Sequence, residues 1–172
     1  LAVTPDGRAL VVLDQKNCAI RSVDLLSGHY TVTTMVGDPS YRCSCEGGVD
    51  GDVNTARLHT PHGLAAHPDG TTYFVATIDK CNDNEGGVIR VTVNEVLQVI
   101  SVTTIAYPLG NRLQGIALHP DLTYLLVASM GDRKIYKISL EAGFVIPIAG
   151  SGQGGDSAFV DGVGTLASFY NP

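Results

Sequence analysis

Leu1-Ala2-Val3-Thr4-Pro5-Asp6-Gly7 returns as Leu64-Ala65-Ala66-His67-Pro68-Asp69-Gly70, and again as Ile116-Ala117-Leu118-His119-Pro120-Asp121-Leu122. Three apolar runs separated by polar turns follow each copy. After the first come Ala9–Leu13, Ala19–Val23 and Tyr30–Val36. After the second come Thr72–Ala76, Val88–Val93 and Val99–Ile105, and after the third Tyr124–Ala128, Lys134–Ile138 and Phe144–Ile148. The runs are short, rich in β-branched and aromatic residues, and bounded by Gly, Asp, Asn and Ser, which is the strand-and-turn signal. Self-similarity of this kind marks an array of small sheets rather than one continuous fold.

The second strand of each unit is apolar at nearly every position, the pattern of a strand buried on both faces. Blades stacked face to face bury both faces, whereas a sandwich exposes one. Ala2, Ala65 and Ala117 share one position on the innermost strand, where small residues suit blades crowding toward an axis. The outer strands mix apolar and hydroxyl residues, as in Val32-Thr33-Thr34-Met35 and Val102-Thr103-Thr104-Ile105. Pro147 falls in the third outer strand, and Pro is confined to strand edges because it lacks an N–H. The expected fold is all-β: a β-propeller segment of three four-stranded antiparallel blades, with minimal helix. Blade 1 spans about 1–37, a linker 38–63, blade 2 about 64–107, a linker 108–115, blade 3 about 116–150 and a last linker 151–172.

The linkers carry a more specific pattern. Asp50-Gly51 leads through Ala56-Arg57-Leu58 to Pro61-His62-Gly63-Leu64-Ala65, and Asp161-Gly162-Val163-Gly164 leads through Ala167-Ser168-Phe169 to Pro172. With Ile20-Arg21 and Ile89-Arg90 opening the third strands, the chain resembles the NHL-repeat β-propellers over its whole length. The third unit is the least typical: its linker Tyr107–Arg112 has no Asp-Gly, Leu122 replaces the turn Gly, Ser129 the strand-end Asp and Tyr136 the Arg. Closed propellers carry ~4–8 blades, and the resemblance implies about six. Three blades are therefore expected to be half of a ring, completed by further residues of a longer protein or by a second copy in a homodimer.

The resemblance also places loops. Linkers between blades and the loops between second and third strands share one face, called here the top, and binding residues gather on such loops over a rigid scaffold. The candidate partner-binding residues on that face are Asp14, Lys16, Asn17, Arg21, His59, His62, Asp79, Asp83, Arg90, Gln114, Asp132 and Arg133. All four cysteines fall on the same face: Cys18, Cys43, Cys45 and Cys81. Disulfides joining Cys43 and Cys45 to Cys18 and Cys81 are the natural reading, in either assignment; free thiols and a four-thiolate zinc site are the alternatives. Cys-x-Cys is not the usual zinc-ligand spacing. Bridges imply an extracellular or lumenal protein.

The formal net charge of −6 argues against nucleic acid as partner, since phosphate affinity comes from clustered Lys and Arg; a local group of Arg21, Arg90, Arg133 and Lys134 is the exception to weigh. No apolar stretch approaches the ~20 residues that span a bilayer. Catalytic signals are thin. No Gly-x-Ser-x-Gly elbow is present, Gly152-Gln153-Gly154-Gly155 lacks the Lys-Ser/Thr of a phosphate loop, and the spacing of Asp79, Asp83 and Glu85 does not match a calcium loop. His67 and His119 precede prolines at the far end of the inner strand, where a turn role is expected. The expectation is a non-enzymatic interaction domain, without cofactor or resident metal, for a protein or glycan partner. The rival is a channel-centred, metal-dependent lyase or lactone hydrolase, completed by the remaining blades of the ring and built around His62, with Gln114 at the matching position of the third unit; RNA binding is the less favoured alternative.

Overall fold

The structure is a computed structural model describing residues 1–38, 43, 48–82, 84–153 and 160–172. Three four-stranded antiparallel sheets follow one another along the chain, each a simple meander. The first contains β1 (Ala2–Val3), β2 (Ala9–Asp14), β3 (Ala19–Asp24) and β4 (Val32–Val36). The second contains β5 (Thr60–Ala66), β6 (Thr72–Ile78), β7 (Gly86–Val93) and β8 (Val99–Ala106). The third contains β9 (Leu113–Leu118), β10 (Tyr124–Ser129), β11 (Lys134–Ser139) and β12 (Val145–Ala149). Helix is confined to single 3-10 turns at Gln15–Asn17 and Gly164–Leu166 among the described residues. Among the described residues no helix is long and apolar enough to cross a membrane.

Strand alternation explains the packing of the middle sheet. Tyr73 and Val75 of β6 enter one core with Val11, Ile20, Met35 and Val36 of the first sheet. Phe74 and Ala76, pointing the other way, enter a second core with Leu113, Leu125, Val127 and Ile138 of the third. Successive side chains of a strand face opposite sides, so a strand covered on both sides must be apolar throughout. β6 is buried from Tyr73 to Ile78. β2 and β10 instead alternate buried with half-buried residues, although their sequences are equally apolar. Each of those strands has a packed neighbouring sheet on one side only.

The inner strands meet closely. A Cβ on Gly63 of β5 would lie 2.7 Å from the Gln114 carbonyl oxygen of β9. The crowding near the axis therefore falls on Gly63, whereas Ala117 is exposed. β5 also begins at Thr60, so Pro61 and His62 belong to the sheet and not to a loop.

Candidate interaction face

The β2–β3 turn, the β6–β7 loop and the two linkers converge at one end of the sheets. Cys18, held in the left-handed region at φ 46°, is disulfide-bonded to Cys43, which ties the first linker to the β2–β3 turn. A bridge closing 25 residues restricts the unfolded chain by roughly 3 kcal/mol in the loop-entropy account. Cys81 is disulfide-bonded as well. Cys45 lies outside the described residues, as does Asp83.

Asp79 organises the second loop. Only 8% of its surface is exposed. Its Oδ1 accepts the Cys81 amide at 2.9 Å and its Oδ2 accepts the Tyr107 hydroxyl at 3.2 Å. Tyr107 in turn accepts from Asn82 Nδ2 at 3.3 Å and stacks on His59 with ring centroids 5.9 Å apart. His59 Nδ1 sits 3.8 Å from Asp79 Oδ1. Burial holds the His59 pKa below the usual imidazole value, and the Asp79 charge opposes that shift. A pocket of about 80 Å³ opens beside this cluster, with Asp50, Arg57, Thr77 and Thr104 in its wall. That is room for two or three waters at ~30 Å³ each, well below the ~300 Å³ of a small-molecule site.

His62 and Gln114 are aimed by matching irregularities. The pairing of β5 with β6 shifts between Pro61 and Gly63, and that of β9 with β10 shifts opposite Val127 and Ser129. Each shift inserts an extra residue in the inner strand, and such bulges re-aim side chains. His62 Nδ1 lies 3.4 Å from Gln15 Nε2, while its Nε2 is buried with no hydrogen-bond partner among the described residues. Burial lowers the His62 pKa, Lys80 adds to the lowering and the Gln114 side chain opposes it.

Asp14 accepts from Asn17 Nδ2 at 2.9 Å and sits 3.7 Å from Arg21 Nη1. Asp132 accepts the Asn111 amide at 3.2 Å and the Tyr136 hydroxyl at 2.9 Å, pinning the second linker to the third sheet. Burial, and then this bond, push the Tyr136 pKa up to about 12. Arg133 lies over Tyr170 at 5.8 Å. Arg90 is separate from these loops: it sits mid-strand in β7, opposite and over Phe74. Lys16, Lys80 and Arg112 are exposed on three neighbouring loops. Tyr107, Asn82, Asn111 and Tyr136 are the partners that sequence reading missed. Tyr107 alone had a local signal, preceding Pro108 in the short linker.

Among the described residues no three His, Cys, Asp or Glu side chains converge as metal ligands. His67 and His119 serve the turns at the opposite end, with Nδ1 3.0 Å from Asp69 Oδ2 and 2.9 Å from Asp121 Oδ1. That end also carries a groove of about 1300 Å³ between the first two sheets, walled by Asp6, Asp24, Asp69 and Glu95.

No family model matches the chain, and no curated protein matches it in sequence. Its fold is that of β-propeller-like solved structures. A structural genomics protein of unknown function from Bacteroides thetaiotaomicron superposes at TM-score 0.65 with 15% identity, covering 99% of this chain and 37% of its own. A chain of a nidogen/laminin complex superposes at 0.57 with 13% identity, covering 89% and 46%. Kuenenia stuttgartiensis hydrazine synthase superposes at 0.55 with 22% identity, covering 84% and 33%. The chain thus spans less than half the length of each. At these identities the likeness is one of fold alone.

Proposed function

We propose that this chain is part of an NHL-type propeller acting as a non-enzymatic binding scaffold, with its top loops presented to a protein partner that carries an acidic surface. The carrying observation is how the top-face charges are used. Asp14, Asp79 and Asp132 spend their carboxylates on Asn17, Arg21, Cys81, Tyr107, Asn111 and Tyr136. Lys16, Lys80 and Arg112 remain exposed around them. Among the described residues of these loops Asp14, Asp79 and Asp132 are held inward while Lys16, Lys80 and Arg112 reach solvent, and exposed cations are the groups that meet a negatively charged partner first, even on a chain of net charge −6. The loops are held by the Cys18–Cys43 bridge and the Asp79 cluster, so little ordering entropy opposes binding. The ~80 Å³ pocket favours surface recognition over a small substrate. Among solved structures of this fold, one sits in a nidogen/laminin complex. The bridges suit an oxidising compartment, extracellular or lumenal.

The test is retention of a partner from extracellular fluid on immobilised chain, compared with the variant Lys16→Glu/Lys80→Glu/Arg112→Glu. A partner eluted from wild type by moderate salt and lost from the variant supports the reading. Equal retention on both refutes it, and retention of a glycan alone replaces the protein partner.

A further inference from the structure

One position on the third strand of each sheet recurs with a change of chemistry. It is Arg90 in β7, opposite Phe74 of β6, and Lys137 in β11, opposite Leu126 of β10. Each cation lies over an aromatic ring. The Arg90 guanidinium is 5.8 Å from the centre of Phe74, and Lys137 Nζ is 3.9 Å from that of Tyr124. In β3 the same position is Ser22, opposite Val11. Tyr124 stands two residues before Leu126, and the same step from Val11 leads to Ala9. The first sheet therefore has neither the cation nor a ring to hold one. Arg21, the residue before Ser22, faces the opposite side.

The carboxylates change in the other direction. Asp24 pairs with Ala9, where Thr92 pairs with Thr72 and Ser139 with Tyr124. Ser22 and Asp24 are two residues apart and share a face of β3. Residues directly opposite in a ladder share a face as well, so this is the face of Val11, which enters the core shared with the second sheet. The Leu26 amide donates to Asp24 Oδ1 at 2.8 Å. That bond, and one from the Ser27 side chain, lower the Asp24 pKa, so the group is charged at neutral pH.

The space beside these small side chains is the groove of about 1300 Å³, with Ala9, Ser22 and Asp24 in its wall. It lies between two sheets that each have all four strands. Met35 and Val99 bring buried apolar surface to it, and Leu26 and Val96 bring exposed apolar surface. Asp6, Asp69 and Glu95 add negative charge, while Arg8 in the same wall is paired to Asp6 at 3.5 Å. Small-molecule sites take ~300–1,000 Å³ and combine apolar surface with a few fixed polar groups.

We propose that this groove binds a small organic cation, a guanidinium or primary ammonium group on a short aliphatic arm, with its charged end beside Asp24 in the place that Arg90 and Lys137 fill in the other sheets. The ligand supplies the positive charge that the first sheet lacks. A charge-assisted bond to the carboxylate is roughly twice as strong as a neutral one, and the arm gains by covering Met35 and Val99. The site is separate from the top-face loops, because the groove opens at the opposite end of the sheets.

The test titrates agmatine, which carries a guanidinium and an ammonium on one aliphatic chain, into the folded, isotope-labelled chain and follows the amide resonances. Butylurea serves as the neutral control. Saturable shifts at Ser22, Asp24, Leu26 and Val96 with agmatine, and none with butylurea, are expected. Asp24→Asn keeps an acceptor for Leu26 but loses the charge, and should weaken agmatine by at least about tenfold. Asp161→Asn removes the same charge from an exposed linker position and should change affinity by less than about twofold. Ser22→Arg, which copies Arg90, should abolish the shifts with unchanged circular dichroism. Unsaturable or absent shifts, equal weakening by Asp24→Asn and Asp161→Asn, or undiminished agmatine binding to a folded Ser22→Arg chain overturns the proposal. An arginine-rich peptide that shifts these amides when agmatine does not also overturns it, and assigns the groove to a protein segment.

Discussion

At the scale of single residues, buried or structured carboxylates do most of the positioning. Asp79 is the clearest, since it satisfies one backbone amide and one tyrosine hydroxyl in a site that is 8% exposed. Asp79→Ala leaves both donors unpaired and should cost about 2–3 kcal/mol, read as a lower urea midpoint with unchanged slope. Asp121 makes a different prediction. Bonds from the Thr123 hydroxyl and amide, and from His119, lower its pKa from 3.8 to about 2 in an exposed turn. A depressed acid stabilises the fold above its unfolded pKa and loses that contribution as pH falls through its folded one. The Asp121 contribution is thus complete above about pH 4 and gone below about pH 2. Carboxyl-carbon NMR should find its midpoint near 2, and a midpoint near 3.8 would contradict the turn geometry. The turn role of His67 and His119 was legible from His-Pro-Asp. The Asp79–Tyr107 partnership was not, because it joins residues 28 apart through a linker path that sequence does not specify; the Asp132–Tyr136 bond, only 4 residues long, depends on how the β10–β11 turn aims Asp132.

At the scale of elements, strand positions followed from β-branched runs and turn residues, and β6 shows why its run lacks alternation: two cores flank it. The inner strands were harder. Pro61 and His62 read as linker because they belong to the recurring stretch that joins blades, yet they lie in β5, an edge strand of its sheet where a missing N–H is tolerated, with Pro61 just before a bulge. The same bulges that displace His62 and Gln114 bring β5 and β9 together at Gly63. Gly63→Val drives a branched side chain onto the Gln114 carbonyl and should destabilise by about 1–3 kcal/mol, with Gly115→Val milder because a Cβ there meets only the Ala128 methyl at 3.7 Å. Equal effects in a thermal melt would mean that the axis is not crowded at Gly63.

At the scale of the whole molecule, three recurrences of one motif sufficed to read an all-β array of three meanders, because each blade is a local unit whose hydrogen bonds close within about 40 residues. How the blades couple was less legible: the Asp-Gly signature was visible, but its action on the next sheet's outer strand emerges only from the Asp50–Thr104 geometry. The same holds for charge. The net −6 gives no sign that, among the described residues of the top loops, Asp14, Asp79 and Asp132 are held inward while Lys16 and Lys80 are exposed. The groove at the opposite end, walled by Asp6, Asp24, Asp69 and Glu95, is the competing surface. Site-specific photo-cross-linking in the native fluid separates them, with the reactive group placed in turn at Lys16 and Lys80 on the top face and at Leu26 and Glu95 in the wall of the groove. The account predicts a protein adduct at Lys16 and Lys80 that fades with salt and is absent at Leu26 and Glu95; adducts confined to Leu26 and Glu95 would contradict it.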